Sequence, residues 1–315
     1  MARAVLFVTG LGKELKRAEN MYTLYKAYQG EKTYISSHDD KFIQQVNSGK
    51  YDLMVIDVFP TVKPKKAIMI WHAIQGGKYI GLDQRGTYYR EEYAELMDYI
   101  ITAGRGGIDM FNRCTHVPKD RIIPLGMPRT DRYFYKEKIN RIPLFGAKRV
   151  YLFAPTFRNW REGKFPDIDW GMIDRQLNDD ELMIVKAHPY GTQFFIRGCS
   201  HIISADKMEP CANFLECSDV IITDYSSIMF DAYLLDKPVV LFEKEQGYVR
   251  ERGMYLQYPG GYCSRYTTNE TDLVNSIREA NGLTETEREC INYVADACDG
   301  NSCERICNFI DNVNN

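Results

Sequence analysis

No stretch of this 315-residue sequence approaches the ~18 consecutive apolar residues of a membrane-spanning helix; runs such as Leu53 to Phe59 are short and contain Asp57. A helical membrane span is therefore excluded. Charge of one sign is missing as well: 40 Lys and Arg stand against 43 Asp and Glu, a formal charge of −3. Nucleic-acid binding needs concentrated cations to replace phosphate counterions, so no nucleic-acid partner is expected. No two of the nine cysteines are three residues apart, which removes the CxxC pair of zinc knuckles and thioredoxin-like sites. The group Cys290, Cys298, Cys303 and Cys307 has neither structural zinc spacing nor a nearby His, and an odd total argues against a disulfide framework. Reduced, helix-packing thiols and no metal are expected. Met1 to Val8 enters a strand pattern directly, without the apolar core and small-residue cleavage site of a secretory signal, which points to the cytoplasm. There is no internal repeat and no low-complexity tract.

What is present is ordinary globular composition, 44% apolar and 26% charged, in a chain long enough for two domains. Short apolar runs alternate with longer stretches of helical period, the pattern of parallel strands buried between helices. The fold class is α/β. Strands are predicted at Ala4–Thr9, Leu53–Val58, Ala67–Trp71, Tyr99–Thr102 and Ile122–Leu125. A second series opens at Arg149 and continues with Leu182–Ala187, Val220–Thr223 and Pro238–Phe242. Asp131 to Lys148, basic and carrying Pro143 and Gly146, reads as the linker. The expected organisation is two doubly wound domains facing across a cleft, over residues 1–140 and 141–283, followed by a docking helix over 284–315. Thr284 with Glu287 forms a capping box, and Ile306, Phe309, Ile310 and Val313 recur at helical spacing.

In such sheets ligands sit beyond the carboxyl ends of strands, so the residues just after each strand carry the functional argument. Thr223-Asp-Tyr-Ser226-Ser227 ends a strand and opens a helix through Asp231. Three hydroxyls beside helix N-terminal N–H groups suit a phosphate; N-capping by Asp224 or Ser226 explains one such group, not three. Lys186-Ala-His188-Pro189 also follows an apolar strand, where an imidazole can donate to a diphosphate oxygen or protonate a leaving group. Trp71-His72-Ala73 leads into Gln75-Gly76-Gly77-Lys78, a strand delivering His72 to a glycine-rich loop that permits close backbone approach. A neutral His72 suits removal of a proton from an attacking hydroxyl, and a buried structural His beside Trp71 is the competing reading. Thr156 and Arg158, after the first strand of the second series, suit an anion, Arg by a bidentate contact. Gly126-Met-Pro-Arg129-Thr-Asp131 reads as a structured turn.

Weaker signals remain. Gly10-Leu-Gly12-Lys13 lacks the third glycine of a dinucleotide fingerprint and the spacing of a P-loop. Asp167-Ile-Asp169 has the form of a metal-binding DxD but does not follow an apolar strand. Lys13, Lys16 and Arg17, with Lys63, Lys65 and Lys66, offer a basic surface for anionic lipid.

In order along the chain, WHAIQGGKYIG, GMPRTD, LFAPTFR, KAHP, SDVIITDYSSIMFDAYLLDKPVVLF and Tyr248-x4-Gly253-x-Tyr255-x3-Pro259-Gly260 resemble the CDP-glycerol glycerophosphotransferase family of teichoic acid and capsule synthesis. The motifs run from Trp71 to Gly260. The resemblance implies a GT-B-like pair of Rossmann-like domains, acceptor side first and CDP-polyol side second. It further implies transfer of glycerol phosphate or ribitol phosphate from a CDP-glycerol or CDP-ribitol donor to a lipid-linked or glycan acceptor, with release of CMP and no cofactor. By matched position, His72 resembles the proposed base and His188 the His near the diphosphate. Arg158, Thr223, Ser226 and Ser227 resemble donor-side residues, and Thr156 and Lys186 flank them. The family's usual glycine after WH is here Ala73, and Gln-Gly-Gly precedes Lys78 where a Pro-Leu-Lys-like stretch is common. Without the long N-terminal region of the larger polymerases, peripheral contact with the inner face of the membrane would use the chain's own basic surface. Competing expectations are a GT-B-like glycosyltransferase or epimerase acting on a uridine-diphosphate sugar, and a non-catalytic nucleotide-binding subunit.

Overall fold

The computed structural model describes residues 4–11, 18–83, 92–135, 146–158, 165–191, 193–245 and 247–314, the side chain of Glu251 excepted. The chain divides into two compact units, Met1–Lys136 with Asn292–Asn315, and Glu137–Ile291.

The first unit is built on six parallel strands, β1 (Ala4–Thr9), β2 (Lys32–Ser36), β3 (Tyr51–Ile56), β4 (Lys66–Ile70), β5 (Tyr99–Thr102) and β6 (Ile122–Pro124), in the order β2-β1-β3-β4-β5-β6. Val5 pairs with Leu53 and Val8 with Ile56, and all four are buried. Both faces of these central strands are covered, which is why they read as unbroken apolar runs. The second unit repeats the plan with β7 (Arg149–Phe153), β8 (Glu181–Val185), β9 (Ile202–Ser204), β10 (Val220–Thr223), β11 (Val239–Phe242) and β12 (Tyr266–Thr267), in the order β12-β11-β10-β7-β8-β9. In each sheet the strand order reverses once, at β1/β3 and at β7/β10, and the carboxyl ends of those pairs open the crevice where doubly wound sheets receive ligands.

Three strands escape the sequence pattern, and all three are sheet edges: β2, β9 and β12. An edge strand has one neighbour and need not be apolar throughout; β2 is Lys-Thr-Tyr-Ile-Ser, with its first three residues half-exposed. The expected continuous C-terminal helix is two helices, Glu285–Val294 and Ser302–Asn314. The capping interaction starts the first, with the Thr284 N–H donating to Glu287 Oε2 at 2.8 Å. Gly300 interrupts the run at φ 92°, a backbone region that favours glycine. Ile306 and Ile310 then bury against the first unit, and Phe309 meets Tyr99 edge-on at 5.2 Å. Most of the expected linker, residues 136–145, lies outside the described residues.

The Gly126–Asp131 turn is the platform for this C-terminal segment. Asp131 accepts from the backbone N–H groups of Ser302 (3.0 Å) and Cys303 (2.7 Å), closing two of the open donors of the last helix from across the sequence. Gly126 has φ 92°, and a Cβ there would stand 2.3 Å from Ser302 Oγ and 2.4 Å from the Ala297 carbonyl oxygen. Replacing Asp131 with Ala is expected to destabilise the first unit by about 1–3 kcal/mol, since it leaves two buried or half-buried donors unmet. Thermal denaturation reads this directly, and a wild-type midpoint would show that the helix is held by its apolar face alone.

No helix among the described residues is long and apolar enough to cross a membrane. All nine cysteines are free.

Candidate functional site

At the reversal point of the second sheet, the ends of β7 and β10 are tied together by one buried carboxylate. Asp224 Oδ1 accepts from the Thr156 N–H (2.7 Å) and from the Tyr225 N–H (2.6 Å), while Oδ2 takes Arg158 Nη2 at 2.6 Å. Arg158 Nε reaches Glu245 at 2.9 Å and Nη1 donates to the Thr156 carbonyl at 2.7 Å. The guanidinium is 1% exposed and lies over the rings of Phe165, Tyr225 and Tyr248. Burial, the largest influence, disfavours its charge; Asp224 and Glu245 overcome that and hold it above the ordinary arginine value. Tyr225 stacks on Tyr248 at 4.1 Å and donates its hydroxyl to Glu243 and to the Glu245 carbonyl. Burial and the Glu243 hydrogen bond keep that phenol protonated, far above its usual range.

Three residues expected at a ligand have partners inside the protein. Arg158, expected to meet an anion, donates to two carboxylates and a carbonyl inside the protein. Thr223 Oγ1 donates to the Ala154 carbonyl at 2.7 Å and fastens β10 to the chain leaving β7. The Lys186 ammonium meets the carbonyls of Lys207 (3.1 Å) and Ala187 (3.4 Å), and the residue is 3% exposed. Asp231 is likewise buried within the helix Ile228–Leu234. That helix has only seven residues, so its dipole adds little to the argument for an anion.

What stays at the crevice is a smaller set. Thr156 Oγ1 is buried with no hydrogen-bond partner. Ser226 and Ser227 are half-exposed; Ser226 Oγ accepts weakly from the Ile228 N–H at 3.4 Å, and the Ser227 side chain does not cap its helix. His188 is exposed and stacks on Phe157 at 5.7 Å and 24°, while its Nδ1 accepts from the Tyr190 N–H at 3.2 Å. Nδ1 as acceptor leaves Nε2 to carry the proton of a neutral ring.

In the first unit, His72 follows β4 at the carboxyl edge of the sheet. Its ring leans on Trp71 (4.4 Å), which packs against Phe59 and Phe111. Asn20 fixes the loop, donating to the Trp71 carbonyl (2.9 Å) and accepting from the Arg129 N–H (3.0 Å). Asp57, at the end of β3, accepts from the Thr9 hydroxyl (2.6 Å) and the Gly10 N–H (2.8 Å). Burial raises its carboxyl to about 6. The His72 ring is open to solvent, yet the protein packed around it lowers its affinity for a proton, with Arg129 and Lys78 acting the same way and a hydrogen bond with the Asp57 backbone opposing them. The imidazole is therefore neutral at pH 7. Gly76 and Gly77 are buried, Gly76 at φ 137°, and Gln75 closes the loop by accepting from the Ala103 N–H and donating to the Ala73 carbonyl. These glycines shape the turn behind His72 rather than offering open backbone to a ligand.

The weaker signals resolve as structure. Asp169 caps the helix Trp170–Asp174 by accepting from the Met172 N–H at 2.8 Å, and no cluster of metal-ligating side chains occurs among the described residues. Lys63 pairs with Asp98, Lys65 with Asp52, and Lys66 donates to the Val313 carbonyl. Lys13, Lys16 and Arg17 lie outside the described residues, as does Gly12. Asp57, Asn20, Asp224 and Glu245 were not singled out as functional from the sequence. An acid ending an apolar strand was the available signal for Asp57; Glu245 and Asn20 carried none.

The sequence pattern of the CDP-Glycerol:Poly(glycerophosphate) glycerophosphotransferase family matches residues 21–312. The chain belongs to this family. It is 26% identical over 269 residues to the teichoic acid glycerol-phosphate primase of Bacillus subtilis (strain 168), spanning 80% of this chain and 69% of that one. It is 26% identical over 317 residues to the teichoic acid poly(ribitol-phosphate) polymerase of Bacillus spizizenii, spanning 86% of this chain but only 49% of that protein. The solved wall teichoic acid polymerase TagF superposes with a TM-score of 0.78 at 18% identity, over 99% of this chain and 89% of that one. The fold is GT-B-like, made of two Rossmann-like units, and the family is one of polyol-phosphate transferases.

Proposed function

We propose that this family member transfers glycerol phosphate or ribitol phosphate from its CDP-polyol to a hydroxyl of a lipid-linked or glycan acceptor, releasing CMP, in teichoic acid or capsule-like polymer synthesis. The carrying observation is the reversal point of the second sheet: an unpartnered buried Thr156 hydroxyl, the half-exposed Ser226 and Ser227 hydroxyls, and the exposed residue His188 after the next strand. Such a set suits the oxygens of a diphosphate. TagF has been solved after a soak with CDPG, which supports a nucleotide-polyol donor here.

In the proposed reaction the acceptor oxygen attacks the phosphorus bearing the polyol, and His72 of the first unit takes the hydroxyl proton. The bond from that phosphorus to the bridging oxygen breaks, and CMP departs with the electron pair. Hydrogen bonds from Thr156, Ser226, Ser227 and His188 stabilise the phosphoryl oxygens as charge shifts towards CMP. A lipid-linked acceptor would place the protein at the inner face of the membrane.

Incubating the protein with CDP-glycerol or CDP-ribitol, with and without a lipid-linked disaccharide, and following CMP by chromatography tests this reading. Acceptor-dependent CMP from one donor is expected and identifies the polyol. No CMP, together with thermal protection by UDP but not CDP, would overturn it in favour of a uridine-nucleotide enzyme.

A further inference from the structure

From Trp71 to Gly77 the only exposed residue is His72; its neighbours on the loop are buried or half-buried. The ring rests on the Trp71 indole at 4.4 Å and shares a hydrogen bond with the Asp57 backbone, and its direction otherwise follows from the loop that carries it. Small changes in φ and ψ there are amplified at the ring nitrogens, so the imidazole keeps its aim only while the loop is held.

Two buried amides hold it, one on each side. Asn20 Nδ2, from the helix Glu19–Ala27, donates to the carbonyl of Trp71 at 2.9 Å, and Gln75 Nε2 donates to that of Ala73 at 2.8 Å. Each amide oxygen is then used on a further turn. Asn20 Oδ1 accepts from the Arg129 N–H at 3.0 Å, and Gln75 Oε1 accepts from the Ala103 N–H at 3.3 Å. Ala103 follows β5 and Arg129 follows β6, so these two side chains join the loops leaving β4, β5 and β6 at the carboxyl edge of the sheet. The residues are 3% and 4% exposed. An amide suits such a bridge, because it is an uncharged planar group that carries its donor and its acceptor on separate atoms. A carboxylate of the same size keeps the acceptor and has no proton for the carbonyl.

We propose that Asn20 and Gln75 are paired positioning residues, which fix the direction of the His72 imidazole by holding the carbonyls of its two neighbours. This rests on the reading of His72 as the base. A reacting group displaced by about 1 Å loses on the order of 10²-fold in rate, so the pair acts on turnover and not on the donor, whose residues lie in the second unit.

Four variants of the full chain test it. Asn20→Leu and Gln75→Met keep bulk and remove the amide; Asn20→Asp and Gln75→Glu keep size and the accepting oxygen and remove only the donor. Each is expected to lower kcat about 10- to 100-fold and to leave CDP-glycerol affinity by calorimetry within about twofold of wild type. The His72 signal in the histidine-ring NMR spectrum, identified by its absence in His72→Ala, should shift, while the His188 signal stays in place. In a His72→Ala background the same changes should lower kcat no further, because a residue acting through His72 has nothing left to act on. An equal fall in that background, or a loss of donor affinity, would show general damage and overturn the assignment, as would wild-type turnover or an unmoved His72 signal. If the Leu and Met variants do not fold, the Asp and Glu variants carry the test. A wild-type protein that releases no CMP removes the base reading instead, and the ring spectrum still decides whether the amides hold His72.

Discussion

Replacing His72 with Ala should lower kcat by about 10²- to 10⁴-fold, the range of a positioned general base, while leaving the affinity for the CDP-polyol close to wild type. The separation follows from the architecture: His72 belongs to the first unit, whereas Thr156, His188, Ser226 and Ser227, which would hold the donor, belong to the second. A base works in its unprotonated form. Because the protein around His72, with Arg129 and Lys78, lowers its proton affinity, that form prevails at neutral pH and persists below the ordinary histidine value of about 6.5. The acid limb of kcat should accordingly lie below that value. Turnover at the wild-type rate in the Ala variant would remove His72 from the mechanism. A loss confined to donor affinity would place it in binding instead. Truncating Asn20 offers a milder companion test, since it frees both the Trp71 carbonyl and the Arg129 N–H and so loosens the loop without touching the ring.

The sequence made places legible more readily than directions. Every internal strand of both sheets announced itself as an apolar run, because a strand covered on two faces has no polar position to spare. Only the edges β2, β9 and β12 were lost. The residues just beyond β4, β7, β8 and β10 were likewise readable as candidates, since the rule that ligands sit at carboxyl ends needs no contact information. Which of their side chains face outward did depend on contacts. Arg158 looks like an anion ligand until Asp224 and Glu245, 66 and 87 residues away, are seen to hold it. Thr223 and Ser226 are indistinguishable as hydroxyls in a motif, yet one donates to the Ala154 carbonyl and the other stays at the crevice. The same limit hid the role of Asp131, whose partner Cys303 lies 172 residues further on. Local pattern carries burial; it does not carry the identity of a distant partner.

Arg158 is where this distinction has the largest consequence for stability. Replacing it with Ala leaves Asp224, fully buried, and the largely buried Glu245 without their cation, and the expected loss is about 3–5 kcal/mol, the scale of a broken buried ion pair. At roughly 2–4 °C per kcal/mol the melting transition should fall by about 10 °C. Arg158→Met keeps more of the packing against Phe165, Tyr225 and Tyr248 but strands the same carboxylates, so it should recover little. Adding Asp224→Asn to Arg158→Met removes one stranded charge, and the double variant should be more stable than the sum of the two single changes predicts. A ligand-facing arginine behaves in the opposite way: its loss leaves the unliganded protein intact and weakens the donor alone. A wild-type melting temperature for Arg158→Ala, combined with weakened CDP-polyol binding, would return Arg158 to the crevice. The expected order instead puts Arg158 under the site, holding the β7 and β10 loops at the spacing that lets Thr156, Ser226 and Ser227 present their hydroxyls together.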